Sequence, residues 1–130
     1  PGDLDSVAAF WVGLLYDKQA RAAALELLGG LDAEEREKAH DQAPRFAFSA
    51  SWGERPMIDV ARDLVTIVQG GLERRVAEGL EAEGTLQLLA PVERRLRQGR
   101  TAAEELLELW RGRWKRDRAH LIEALRFRAP

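Results

Sequence analysis

Arg111, Arg113, Lys115, Arg116 and Arg118 are the sharpest chemical feature of the sequence, a run of cations spread over eight positions. At helical spacing Arg111, Lys115 and Arg118 share one face. Guanidinium forks bind phosphate and carboxylate well, so this face is a candidate contact for an anion or an acidic partner. The same residues equally form a solvated face that pairs with Glu104, Glu105 and Glu108 one or two turns back. The carboxylate runs Glu34, Glu35, Glu37 and Glu104, Glu105, Glu108 fall in first turns of helices, where negative charge complements the dipole. His40 and His120 stand in no metal spacing, and Gly29-Gly30 and Gly70-Gly71 lack the Lys-Ser or Lys-Thr of a phosphate loop. No serine, histidine and aspartate share a hydrolase context. The residues therefore point to no metal site and no catalytic residue on this chain.

The aromatics leave two readings open. Trp110 and Trp114 are four apart and read as core, whereas Trp52, in a loop, is more open to a binding role. Trp11 is the best candidate for touching something small, because it lies in the least polar stretch beside Gly13, which admits a close approach. Core packing is the alternative for Trp11.

The elements that must position these residues are helices. Leu4, Val7, Ala8, Trp11, Leu14 and Leu15 recur at helical spacing, and Phe10, Val12 and Tyr16 extend the apolar surface to a second face, so a first helix to about Tyr16 is expected to be buried on several sides. Asp3 or Asp5 can cap it. Asp17 starts a second helix to Leu28, with Gly29-Gly30 as a left-handed stop. Asp32 with Glu35 is a capping box for a third helix to about Gln42, ended by Pro44. Residues 44–56 read as an irregular, aromatic-rich loop lying on the core. Met57 to about Glu78 is a long helix in which Gly70-Gly71 marks either close packing or a kink. A fifth helix covers Leu86 to Arg97, with Pro91 bending it or marking its true first turn and Gly99 stopping it. Thr101 with Glu104 opens a last helix through Trp110 and Trp114, restarted at Asp117. No stretch reads as a strand. The expectation is all-α, about six helices in a single domain over residues 1–130.

Composition sets the limits. The chain has 130 residues, 45% hydrophobic and 32% charged, enough for a core. Twenty basic against 22 acidic residues argue against a general nucleic-acid binder. The absence of cysteine excludes disulfides and thiolate sites and favours a cytoplasmic setting. No apolar run reaches the ~20 residues of a membrane span. The chain begins at Pro1 and its one methionine is Met57, which suggests a trimmed initiator or a piece of something longer.

Four segments carry a resemblance: Ala9-Phe10-Trp11-Val12-Gly13-Leu14-Leu15-Tyr16-Asp17, Gly71-Leu72-Glu73-Arg74-Arg75, Thr101-Ala102-Ala103-Glu104-Glu105-Leu106-Leu107, and Trp110-Arg111-Gly112-Arg113-Trp114. In this order the chain resembles the C-terminal part of glutamate–cysteine ligases of the plant and proteobacterial type, and related γ-glutamyl ligases look similar. The resemblance implies an enzyme of glutathione biosynthesis that joins the γ-carboxyl of glutamate to the amine of cysteine through a γ-glutamyl phosphate, using ATP and magnesium. It also implies that the metal carboxylates come from an antiparallel sheet not present in this chain, so the fold expected is the helical part of a larger α+β ligase. This chain alone would then hold no cofactor and would not be active. Trp11 matches the family's tryptophan and, on the resemblance, borders the pocket for the amino-acid acceptor. The expected partner is the catalytic portion of the same enzyme or a partner subunit, with self-association through the first helix as a further option, and neither nucleic acid nor membrane. The alternative is a stand-alone, non-enzymatic helical binding module using the Arg111 to Arg118 face or Trp52.

Overall fold

The computed structural model describes residues 4–126. Seven α-helices follow one another: α1 Leu4–Leu15, α2 Lys18–Leu28, α3 Ala33–Phe46, α4 Met57–Ala77, α5 Ala90–Gln98, α6 Ala102–Arg111 and α7 Arg118–Leu125. The expectation of an all-α unit of about six helices holds, with seven among the described residues. Asp3, one of the two caps considered for α1, lies outside the described residues; Asp5 sits in the first turn of α1.

The starts of the helices follow side-chain chemistry. Asp17 caps α2 by accepting the Ala20 N–H at 2.7 Å. Both expected capping boxes form, Asp32 with Glu35 at α3 and Thr101 with Glu104 at α6. Pro91 occupies the first turn of α5, after a 3-10 stretch over Glu83–Leu89, and Gly99 closes α5 in the left-handed region at φ 64°.

The ends depart more. Gly29 caps α2 with φ −79°, so the stop there is right-handed and not the left-handed one expected. α3 runs through Pro44 to Phe46; the proline removes one N–H from its last turn, but the segment that follows packs back on α3 and holds that turn in place. The segment Ala47–Pro56 is less irregular than it reads, with a 3-10 turn and an antiparallel hairpin of β1 Ser51–Trp52 against β2 Arg55–Pro56. Two-residue strands are too short to show a period, which is why no strand signal reached the sequence.

The core is set where α1 and α2 lie on the long helix α4, with the 3-10 stretch beneath. Ala9, Leu14, Ala24, Val68, Leu72 and Leu89 form its buried centre, and Phe10, Val12, Leu64, Ile67 and Leu86 pack against it half-buried. α5 joins through Leu96, and Arg62 of α4 donates to the Leu96 carbonyl oxygen at 3.2 Å.

The last helix restarts at Asp117 as expected but breaks earlier, before Trp114. α6 stops at Arg111, residues 112–116 form a turn in which Lys115 and Arg116 take φ of 46° and 63°, and α7 starts anew with Asp117 as its cap. Gly112, at φ −94° and ψ −96°, leaves the helical region and breaks the run.

Candidate functional site

Two of the segments singled out in the sequence meet in space. Gly13 of α1 and Gly71 of α4 are both buried and face each other. A Cβ at Gly13 would stand 2.6 Å from the Val68 carbonyl oxygen, and one at Gly71 would fall on the Gly13 carbonyl oxygen. Only glycine at both positions lets the backbones approach this closely. Gly70-Gly71 thus marks close packing and not an interruption, since α4 is continuous across it.

Just beyond that crossing the two segments are tied by charge. Arg74 grips Asp17 with a fork, Nη2 to Oδ1 at 2.7 Å and Nε to Oδ2 at 3.1 Å. The Arg74 guanidinium, helped by the Ala20 N–H, lowers the Asp17 carboxyl to about 2, against the opposing effect of burial. Arg74 is held charged in return. Arg75 donates to Glu81 at 2.8 Å and to the Tyr16 carbonyl oxygen at 3.3 Å, with its guanidinium 5.5 Å from the centre of the Tyr16 ring. The sequence did not single out Asp17, Arg74 or Arg75 as a unit. The signal was there only as two family-like segments, because the partners are 57 residues apart.

This lock sets how α1 sits. Ser6, Ala9, Gly13 and Leu14 face inward. Leu4, Val7, Trp11 and Leu15 form a stripe along the outer side, each 45–60% exposed. The expectation that α1 is buried on several sides is therefore corrected: its outer stripe is left open, because α2, α4, α5 and the 3-10 stretch all meet it from the inner side. Trp11 stands at the middle of the stripe. Its ring meets Phe10 edge to face, with centroids 5.9 Å apart and planes at 88°. Phe10 in turn packs on the core, so Trp11 is braced while its outer face stays open.

The other candidates are not brought together with Trp11. Arg111 ends α6, Lys115 lies in the turn and Arg118 begins α7, so the shared helix face expected for the three does not exist. The acidic residues expected to neutralise them are engaged elsewhere: Glu108 pairs with Arg100 and Glu105 with Arg95. Trp110 and Trp114 are half-buried and sit on different elements, so neither joins the core as expected. Trp114 stacks on His120, with centroids 6.5 Å apart, and His120 Nδ1 lies 3.2 Å from Asp117. His40 is exposed, and Trp52 is half-buried with its indole nitrogen shielded from solvent. Among the described residues no group of three or more His, Cys, Asp or Glu could hold a metal ion. No described helix is long and apolar enough to cross a membrane.

Comparison of the sequence with known proteins matches it to a family of ligases. The sequence model of glutamate-cysteine ligase family 2 covers residues 3–122. The chloroplastic glutamate–cysteine ligase of Solanum lycopersicum is 34% identical over 122 residues, which are 94% of this chain and 22% of that enzyme. The corresponding enzyme of Nicotiana tabacum is 35% identical over the same shares, and that of Medicago truncatula 32% identical over 94% of this chain and 23% of its own length. The chain therefore spans about a fifth of the length of the curated relatives it matches. The expectation of a cytoplasmic setting is overturned by the same relatives, which are chloroplastic by name; a lack of cysteine separates oxidising from reducing surroundings and does not choose between two reducing ones. With the match running through both halves of the α1–α4 lock and on into α7, the chain belongs to glutamate-cysteine ligase family 2.

Proposed function

We propose that this chain is the C-terminal helical segment of an ATP-dependent glutamate–cysteine ligase, and that it backs a catalytic sheet supplied by the rest of the enzyme. The observation that carries the reading is the outer stripe of α1. A monomer rarely leaves a braced tryptophan amid a continuous line of large apolar residues open to water unless another surface covers them. The family match, together with the small share of each relative that it spans, supports the remainder of a ligase chain as the covering surface.

In this reading the chain contributes shape and an apolar wall, not charge chemistry. Among its described residues no group of three or more His, Cys, Asp or Glu could hold a magnesium ion; in this reading the remainder binds metal and ATP, and no chemical step is assigned to residues here. Trp11, held by Phe10 from one side and set by the Gly13–Gly71 crossing from the other, borders the acceptor amino acid at the seam. Burial of the seam would exclude water from the acyl phosphate that the family's reaction implies.

The test is to assay γ-glutamylcysteine formation from glutamate, cysteine and ATP by the chain alone and by the chain co-expressed with the Solanum lycopersicum enzyme from which the matching segment has been removed. The tomato segment supplied in trans is the positive control. The expected result is no turnover by the chain alone and turnover by the pair. Glutamate-dependent ADP production by the chain alone, or a pair that co-purifies and stays inactive where the control is active, would overturn the proposal.

A further inference from the structure

Among the described α-helices only α6 and α7 have no buried residue, whereas α4 alone buries Val60, Val65, Val68, Gly71 and Leu72. They are short, 10 and 8 residues, and isolated helices below about 12–15 residues are marginal in water. Leu107, Ile122 and Leu125 are exposed to 47%, 68% and 55%. An arm of two marginal helices with apolar residues facing water is held only by what packs on it.

Charge narrows what that can be. The α6 carboxylates Glu105 and Glu108 already pair with Arg95 and Arg100 on the body of the molecule. Arg111, Arg113, Lys115, Arg116 and Arg118 are all exposed and have no ion-pair partner among the described residues. The turn between the helices holds Lys115 and Arg116 in the left-handed region, a conformation that non-glycine residues keep only where surroundings enforce it. A second copy of this arm would offer α6 carboxylates that are already engaged; a different surface, with free carboxylates around an apolar patch, matches both features. The family match includes α6 and the start of α7, so the arm is shared with relatives about five times longer than this chain.

We propose that the α6–α7 arm is a second docking surface, separate from the α1 stripe, which an apolar patch rimmed with carboxylates on the remainder of the ligase covers and holds in shape. It rests on the ligase-segment reading above. The two surfaces then divide the work: α1 meets the remainder through apolar contact alone, and the arm adds a salt-sensitive contact that fixes orientation.

Amide hydrogen exchange tests this on the chain alone and on its complex with the trimmed tomato enzyme. In the chain alone, α6 and α7 amides are expected to exchange at least about 100-fold faster than those in the centre of α4; in the complex they should slow by about the same factor. Ile122→Glu with Leu125→Glu, both at exposed positions, should leave the melting temperature of the chain unchanged and weaken the complex at least about tenfold. Arg113→Glu with Lys115→Glu and Arg116→Glu should weaken it and flatten its salt dependence. Protection of the arm in the isolated chain equal to that of α4 would overturn the proposal, as would protection that appears only as the chain is concentrated, which would make a second copy the occupant. A complex that protects α1 but leaves the arm exchanging fast would overturn the second surface while leaving the segment reading standing. Failure to form any complex, where the tomato segment forms one, would remove both.

Discussion

The tightest constraint in the molecule is two hydrogen atoms wide. Gly13 and Gly71 face each other with no room for a methyl group on either, and the obstacle is backbone, which cannot swing aside. Gly71→Ala should therefore destabilise the chain by about 2 kcal/mol or more, although alanine is the better helix former by about 1 kcal/mol; urea unfolding measures it, and Gly70→Ala, where a Cβ meets only the flexible tip of Arg74 at 3.4 Å, should be neutral or stabilising. The Asp17–Arg74 pair makes a second prediction at this scale. Asp17 falls from its usual 3.8 to about 2 in the folded chain, so its stabilisation is fully present above about pH 4 and is lost as pH falls toward 2. The side chain of Asp17 is only 12% exposed, but that of Arg74 is 37% exposed, so solvent screening holds the contribution to about 1–2 kcal/mol. Asp17→Asn keeps a capping side chain and removes the charge. It should lose that amount at pH 7, and unfolding curves between pH 4 and pH 2 should show a correspondingly shallower loss of stability than in the parent chain.

At the scale of the element, α1 carries two faces with different duties. Leu14, 8% exposed, fills the core; Leu14→Ala should cost about 2–5 kcal/mol. Trp11, 50% exposed, touches Phe10 but fills no space inside; Trp11→Ala should cost the isolated chain less than about 1 kcal/mol while weakening the pair with the tomato remainder and raising its KM for cysteine. Thermal unfolding of the chain and kinetics of the pair separate the two effects, and a Trp11→Ala variant that melts like Leu14→Ala would make Trp11 a core residue. Sequence could not assign these duties. Leu4, Val7, Trp11, Leu14 and Leu15 are all apolar, and helical period alone cannot say which flank a neighbour covers. The capping residues were different: Asp17, Asp32 with Glu35, and Thr101 with Glu104 act within one turn, so all were legible. The break at Gly112 was not legible, because Arg111 to Arg118 keeps helical spacing on paper and the departure depends on one backbone torsion pair.

At the scale of the whole molecule, α1, α2, α4 and α5 make a body with a core, while α6 and α7 add an arm without one. The class, the order of the helices and most of their starts are legible in the residue string, because apolar period and capping are local and each is decided within a few residues. The same string carried the family, since the ordered segments survive whatever their packing. Packing in three dimensions was needed to set which side of α1 is covered, that Gly13 and Gly71 touch, that Arg74 holds Asp17 across 57 residues, and that the basic residues split between a helix end, a turn and a helix start. Those outcomes depend on which distant surfaces meet, and contact between residues far apart in the chain is set by the competition of all faces for a limited core, which no local spacing contains.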